Sequence, residues 1–262
     1  MVRLKEKIKN KEKLIGTHVT IGEPCVAEAM GYLGFDFLWI DMEHTSFGCQ
    51  DLYNLLNAAK AAGTNSIVRV PQHDYTILKK VLEMGPDGII FPMITDVEQA
   101  KEDIEHSVYP PYGIRGFGPK RAIRYGLDDA LQYIEHNALE NMCRFVQIEH
   151  IEMIKHLEEY FKIPYIDGFI IGPCDLAGSI GKPGRQMEEE TSKLIRDTVD
   201  FLKRNNKYTG ISYGDYSAEG IEHWSNMGID MISVGSEMDY IVHGAQTALK
   251  NLKKVHLKET NS

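Results

Sequence analysis

Short, strongly apolar runs alternate with longer amphipathic stretches along nearly the whole chain. The runs fall at 14–21, 35–40, 66–70, 88–91, 144–148, 168–171, 208–212 and 230–234, and each predicts a β-strand. Between them, residues 24–33, 50–62, 75–84, 96–106, 151–160, 188–205, 217–227 and 237–254 carry apolar positions at helical spacing. Runs without polar alternation, such as Gly168-Phe169-Ile170-Ile171, belong to strands buried on both faces, as in a parallel sheet covered by helices. Eight strand–helix repeats select a closed barrel over an open doubly wound sheet, and the expected fold is a single α/β domain of the (β/α)8 TIM-barrel type. The rhythm breaks at 107–142, which contains Tyr109-Pro110-Pro111-Tyr112-Gly113 and a further helical stretch near 128–140. We expect this insertion to lengthen a connection near the active face, where long ordered loops serve as lids.

Length agrees with this reading, because 262 residues match the roughly 250 typical of such a barrel. Charge narrows the partners. A net charge of −9 repels phosphate backbones, so nucleic acid is excluded, and the basic ends (5–13 and 250–258) read as solvated helix faces. No apolar run approaches a membrane span, and the amino end, Met1-Val2-Arg3-Leu4-Lys5, has charge without a signal-type apolar region. A cytoplasmic protein with no membrane contact is expected. Cys25, Cys49, Cys143 and Cys174 show no close-paired spacing, so reduced thiols are expected rather than a zinc site or a disulfide framework.

In a parallel barrel the chemistry gathers where strands hand over to the loops that follow. Those positions carry Asp41, Glu43 and His44 after the second strand, Arg69 on the third, Gln147 and Glu149 on the fifth and Asp175 after the sixth. Two carboxylates with few competing nitrogen or sulfur donors favour a hard divalent cation such as Mg²⁺, or Mn²⁺ or Co²⁺. Acids at the start of helices also act simply as caps, and an arginine inside a barrel also acts simply as a counter-ion. No lysine occupies a strand end, which argues against a Schiff-base mechanism. Gly172-Pro173-Cys174-Asp175 reads as a turn whose backbone N–H groups could hold a carboxylate, with no chemical part for the Cys174 thiol.

Phe35-Asp36-Phe37-Leu38-Trp39-Ile40-Asp41-Met42-Glu43-His44, Val68-Arg69-Val70-Pro71, Tyr109-Pro110-Pro111-Tyr112-Gly113-Ile114-Arg115-Gly116, Gln147-Ile148-Glu149 and Gly172-Pro173-Cys174-Asp175-Leu176 resemble, in order and spacing, the signatures of the HpcH/HpaI aldolase family. The resemblance implies cleavage of a 4-hydroxy-2-oxo acid to pyruvate and an aldehyde through a pyruvate enolate held on a divalent metal ion. It also implies a homo-oligomer, dimeric or hexameric, whose last helix is exchanged between subunits. By the same resemblance Glu149 and Asp175 are metal ligands, Gln147, Gly172, Pro173 and Cys174 meet the small 2-oxo acid, Arg69 stabilises the enolate and His44 is the base. Glu83 takes the place of an acid that tunes this histidine, reached across a subunit interface, with Asp41 as the local alternative. Departures from the family pattern at Glu83, Pro86, His150 and Ala177 leave every ligand in place. Oxaloacetate decarboxylation and a non-catalytic binding barrel are the competing expectations.

Overall fold

The computed structural model describes residues 3–257; Met1, Val2 and Lys258, which entered the reading of the two ends, lie outside the described residues. Eight strands, β1 (Leu14–Val19), β2 (Phe37–Asp41), β3 (Asn65–Arg69), β4 (Gly88–Phe91), β5 (Cys143–Ile148), β6 (Gly168–Ile171), β7 (Thr209–Tyr213) and β8 (Met231–Ser236), pair in that order. Every ladder is parallel, and β8 closes on β1. Predicted and observed strands coincide within two residues. Helices 75–84 and 237–254 also match closely, whereas 151–160 divides into Ile151–Lys155 and Leu157–Tyr160.

Side chains separate by parity along each strand. Phe37 and Trp39 of β2, Ile67 of β3, Ile90 of β4, Cys143 and Phe145 of β5, and Ile170 of β6 fill the barrel interior, while Leu38, Ile40, Val68, Ile89, Val146 and Ile171 pack outward under the helices. Close packing leaves room for no side chain at some inward positions. A Cβ on Gly16 would lie 2.2 Å from the Phe37 ring, so that ring occupies the space a larger residue would need.

Helix Leu4–Lys9 seals the amino-terminal end of the barrel, where Leu4 and Ile8 join the interior cluster. Lys5 is accordingly no solvated charge. Its ammonium is buried, donating to the carbonyls of Leu139 and Met142 (2.9 and 3.1 Å) and pairing with Asp167 at 3.0 Å.

The insertion lies on that same closed end in this chain's own barrel, which corrects the expectation of a lid beside the active face. The reason is its point of attachment: it follows helix Val97–Ser107 and precedes the start of β5, so it connects elements at the strands' amino-terminal ends. Buried Arg144 ties it down by donating to Ser107 and to the Ala138 carbonyl, and Arg121 and Arg115 donate to the Leu56 and Leu82 carbonyls of neighbouring helices. Among the described residues no helix is long and apolar enough to cross a membrane.

Candidate active site

At the open end, the inward positions continue beyond the apolar layers and become polar. Gln147 and Glu149 follow Cys143 and Phe145 at the same parity of β5, so the strand that fills the core also aims an amide and a carboxylate into the mouth. Together with His18, Asp41, His44, Arg69, Gly172, Pro173, Cys174 and Asp175 they line a cavity of about 360 Å³. Nine of the ten residues to which the family resemblance gives a role meet there.

The exception is Glu83. It sits in the last turn of helix Tyr75–Met84, at the sealed end, 3.6 Å from the Arg115 guanidinium of the insertion, and burial raises its pKa against that positive charge. In one protomer, therefore, Glu83 does not reach His44. Asp41 does not meet the imidazole either. Its Oδ1 accepts the backbone N–H groups of Glu43 and His44 (3.0 and 3.4 Å), so it shapes the loop, while the His44 Nε2 lies 3.6 Å from the Glu43 carboxylate. Glu43 is the acid nearest the ring.

Arg69 is clamped by acids. Asp41 and Arg69 are register partners on β2 and β3, and Nε and Nη2 donate to the two Asp41 oxygens at 3.0 and 2.6 Å while Nη1 lies 3.1 Å from Glu43. Burial alone would raise the Asp41 pKa, but the hydrogen bonds and charge of Arg69 outweigh it and hold the carboxyl below its ordinary value. For Glu43 the balance goes the other way, and burial raises its pKa despite Arg69 and His44.

Glu149 is 2% exposed, and burial pushes its pKa up to about 7 even though Oε2 accepts the Met93 N–H at 2.9 Å and Arg69 is near. Gly172 makes its position possible. A Cβ there would stand 2.6 Å from Glu149 Oε1. Rather than an open turn, Gly172 caps a short helix, Pro173–Ser179, whose first turn carries Asp175 at the exposed rim. Cys174 is exposed beside it, and partial desolvation together with the charges of Asp175 and Glu149 raises the pKa of its thiol.

Among the described residues no three His, Cys, Asp or Glu side chains converge as a ready-made ligand set. The donors that do converge are two carboxylates and one amide. The Gln147 Oε1 is buried without a hydrogen-bond partner, which is the signature of an oxygen with an outstanding acceptor role. An oxygen-only set of this size suits a hard cation that keeps several positions for water and substrate.

His18 went unnoticed as a mouth residue in the sequence. Its Nδ1 lies 2.8 Å from the Gly235 carbonyl and its Nε2 2.8 Å from Ser212 Oγ, and burial lowers its pKa to about 4. The signal was available, because His18 shares the inward parity of Leu14 and Gly16 on β1.

Comparison with known proteins agrees with this geometry. Residues 14–244 match the model of the HpcH/HpaI aldolase/citrate lyase family. The chain is 31% identical over 247 residues to 2-dehydro-3,6-dideoxy-6-sulfogluconate aldolase of Pseudomonas putida, covering 94% of this chain and 95% of that protein. It is 28% identical to hydroxypyruvate/pyruvate aldolase of Pseudomonas aeruginosa, covering 92% and 88%. A solved HpcH/HpaI aldolase/citrate lyase family protein from Burkholderia cenocepacia J2315 superposes with a TM-score of 0.88 at 26% identity, over 95% of this chain and 98% of that one. With a closed parallel barrel, a mouth built from the motifs of β2, β3, β5 and β6, and a family match spanning all eight strands, the chain belongs to the HpcH/HpaI aldolase/citrate lyase family.

Proposed function

We propose that the protein is a divalent-metal-dependent aldolase that cleaves a 4-hydroxy-2-oxo acid into pyruvate and an aldehyde. The observation that carries this reading is the pairing of unpartnered Gln147 Oε1 on β5 and buried Glu149 just after it with Asp175 in the first turn of helix Pro173–Ser179, beside the Arg69 guanidinium. Glu149 and Asp175 would hold the cation, with Gln147 beside the pyruvate portion. When bound, the cation supplies a Lewis acid for the oxygen that becomes negative as the bond breaks. The relatives named above are aldolases, which favours this reading over a decarboxylase or a non-catalytic barrel.

The chain's own groups have distinct tasks. His44 removes the proton of the 4-hydroxyl; the C3–C4 bond then breaks, the hydroxyl carbon leaves as the aldehyde, and the bonding pair passes to the pyruvate fragment, which is protonated at C3. Arg69 gives two of its five N–H bonds to Asp41 and pairs with Glu43 by charge, so N–H bonds remain that can meet the developing oxyanion. Asp41 fixes the guanidinium, and Glu43 stabilises His44 once it carries a proton.

A homo-oligomer belongs to the same proposal. Helix Glu237–Val255 buries only Glu237 in this protomer and exposes Met238, Ile241, Val242, Leu249, Leu252 and Val255. Such a face fits exchange with a second copy. The test of function is a coupled pyruvate assay over a panel of 4-hydroxy-2-oxo acids and oxaloacetate, after chelation and after adding Mg²⁺, Mn²⁺ or Co²⁺. Release of pyruvate from hydroxy-oxo acids that needs the cation supports the proposal; cation-independent release, or none with any of the acids, overturns it.

A further inference from the structure

The motifs that place the metal ligands and the base account for only part of the mouth. The arc from β7 through β8 to β1 closes the ring around it with Ser212, Ser236, Thr20 and His18, and has Asp239 at its edge. Among the described residues of one protomer no leucine, isoleucine, valine or aromatic carbocycle lines the cavity, and Arg69, already engaged by Asp41 and Glu43, is its only arginine or lysine.

The hydrogen bonds of this arc have a common direction. A carbonyl can only accept, so His18 Nδ1 carries the proton donated to Gly235 O, and the neutral ring presents a lone pair at Nε2. Ser212 therefore donates its single hydroxyl proton to His18 Nε2 at 2.8 Å. Thr20 donates its own to the Glu237 carboxylate at 3.2 Å, and Ser236 donates to Asp239 at 2.7 Å. Each hydroxyl proton on the arc is thus committed to a protein acceptor. What remains on all three oxygens is acceptor capacity.

Resting on the aldolase reading, we propose that this wall selects the aldehyde fragment, taking a short hydroxylated aldehyde whose hydroxyl donates its proton to the Ser212 or the Thr20 oxygen. An apolar aldehyde would leave those lone pairs desolvated and unmatched. A carboxylate-bearing aldehyde would place acceptors against acceptors beside Asp239, with no free cation to meet it. His18 and Ser212 are specificity residues in this scheme, and neither moves a proton in bond cleavage.

The experiment runs the reaction in the synthetic direction, with the full-length protein, Mn²⁺, pyruvate and one of three aldehydes: glycolaldehyde, propanal, which has a methyl in place of the hydroxyl, and succinate semialdehyde. In parallel, exchange of pyruvate methyl protons in D2O with no aldehyde reports the enolising half of the site. Expected is a kcat/KM for glycolaldehyde about tenfold or more above that for propanal, with succinate semialdehyde no better than propanal. The pair His18→Phe with Ser212→Ala should bring the glycolaldehyde-to-propanal ratio to one or below while exchange continues. Thr20→Val, which keeps side-chain volume, should lower the ratio about threefold and decides the matter if the double variant fails to fold. Equal use of glycolaldehyde and propanal by wild type, or preference for succinate semialdehyde, with exchange intact, overturns the wall alone. Absence of exchange overturns the aldolase reading and the wall with it.

Discussion

Asp41 and Arg69 stand opposite one another on adjacent strands, and both oxygens of the carboxylate are taken by one guanidinium, at 3.0 and 2.6 Å. The pair is buried, so its two members hold each other's charge in a place where either alone would be costly. Asp41→Ala should therefore destabilise the fold by about 3 kcal/mol and leave Arg69 free to swing toward Glu43. Urea denaturation of the two single variants and of the Asp41→Ala/Arg69→Ala double variant checks this. A double variant whose loss equals the sum of the singles would mean that the two side chains are not coupled.

Metal affinity should depend on a residue with no side chain. Gly172→Ala puts a methyl 2.6 Å from Glu149 Oε1, too close for both to stay, and must turn that carboxylate aside. Divalent cation affinity should fall about 10- to 100-fold with circular dichroism unchanged, the range seen when a ligand's support is disturbed. Calorimetric titration with Mn²⁺ measures it, and unchanged affinity would remove Glu149 from the ligand set.

His44→Ala should nearly abolish aldol cleavage and leave oxaloacetate decarboxylation comparatively intact, because carbon dioxide departs without any proton being taken from a 4-hydroxyl. The ring is 63% exposed, so its removal leaves no cavity in the core. Equal loss of both reactions with the cation still bound would make His44 a residue that organises the mouth rather than a base.

The acid limb of stability should carry the signature of His18. Burial lowers its pKa from 6.5 to about 4, so the folded state binds fewer protons than the unfolded state between those values. Its contribution is fully present above pH 6.5 and is lost as pH falls toward 4. His18→Gln keeps a donor and an acceptor but does not titrate. Relative to wild type it should gain about 1–2 kcal/mol between pH 7 and pH 4.5, less than the full shift implies because part of the ring faces water. Urea midpoints at the two pH values decide it; parallel pH profiles would assign the acid sensitivity to other groups.

Ile241→Asp with Leu249→Asp, on the exposed face of the last helix, should lower the solution mass measured by light scattering to that of one chain. An unchanged oligomer would place the interface elsewhere.

Much of this architecture was legible in the chain because short apolar runs recur between amphipathic stretches: Gly168-Phe169-Ile170-Ile171 is one of them, and Gln147 and Glu149 inherit their direction from Phe145. The parts that stayed hidden depend on distant partners. Lys5 reads as a surface charge until the Leu139 and Met142 carbonyls and Asp167 are brought to it across more than a hundred residues. The insertion reads as a lid until the direction of the helix before it fixes which end it joins. His18 shares the inward parity of Leu14 and Gly16, but its partners Gly235 and Ser212 come from β8 and β7 and meet it only where β8 closes on β1.

The side chains that fill the barrel interior, capped by helix Leu4–Lys9, give the cavity above them a closed floor. Traffic through one opening has an order. Gln147 and Glu149 lie at the bottom of the cavity, 1% and 2% exposed, whereas Asp175 and Asp239 stand at its lip. With pyruvate seated against the deep pair as proposed, the outer half covers it, so the expected order is aldehyde before pyruvate in release and pyruvate before aldehyde in synthesis. The closed floor thus turns a geometric feature of the packed interior into an expected kinetic sequence.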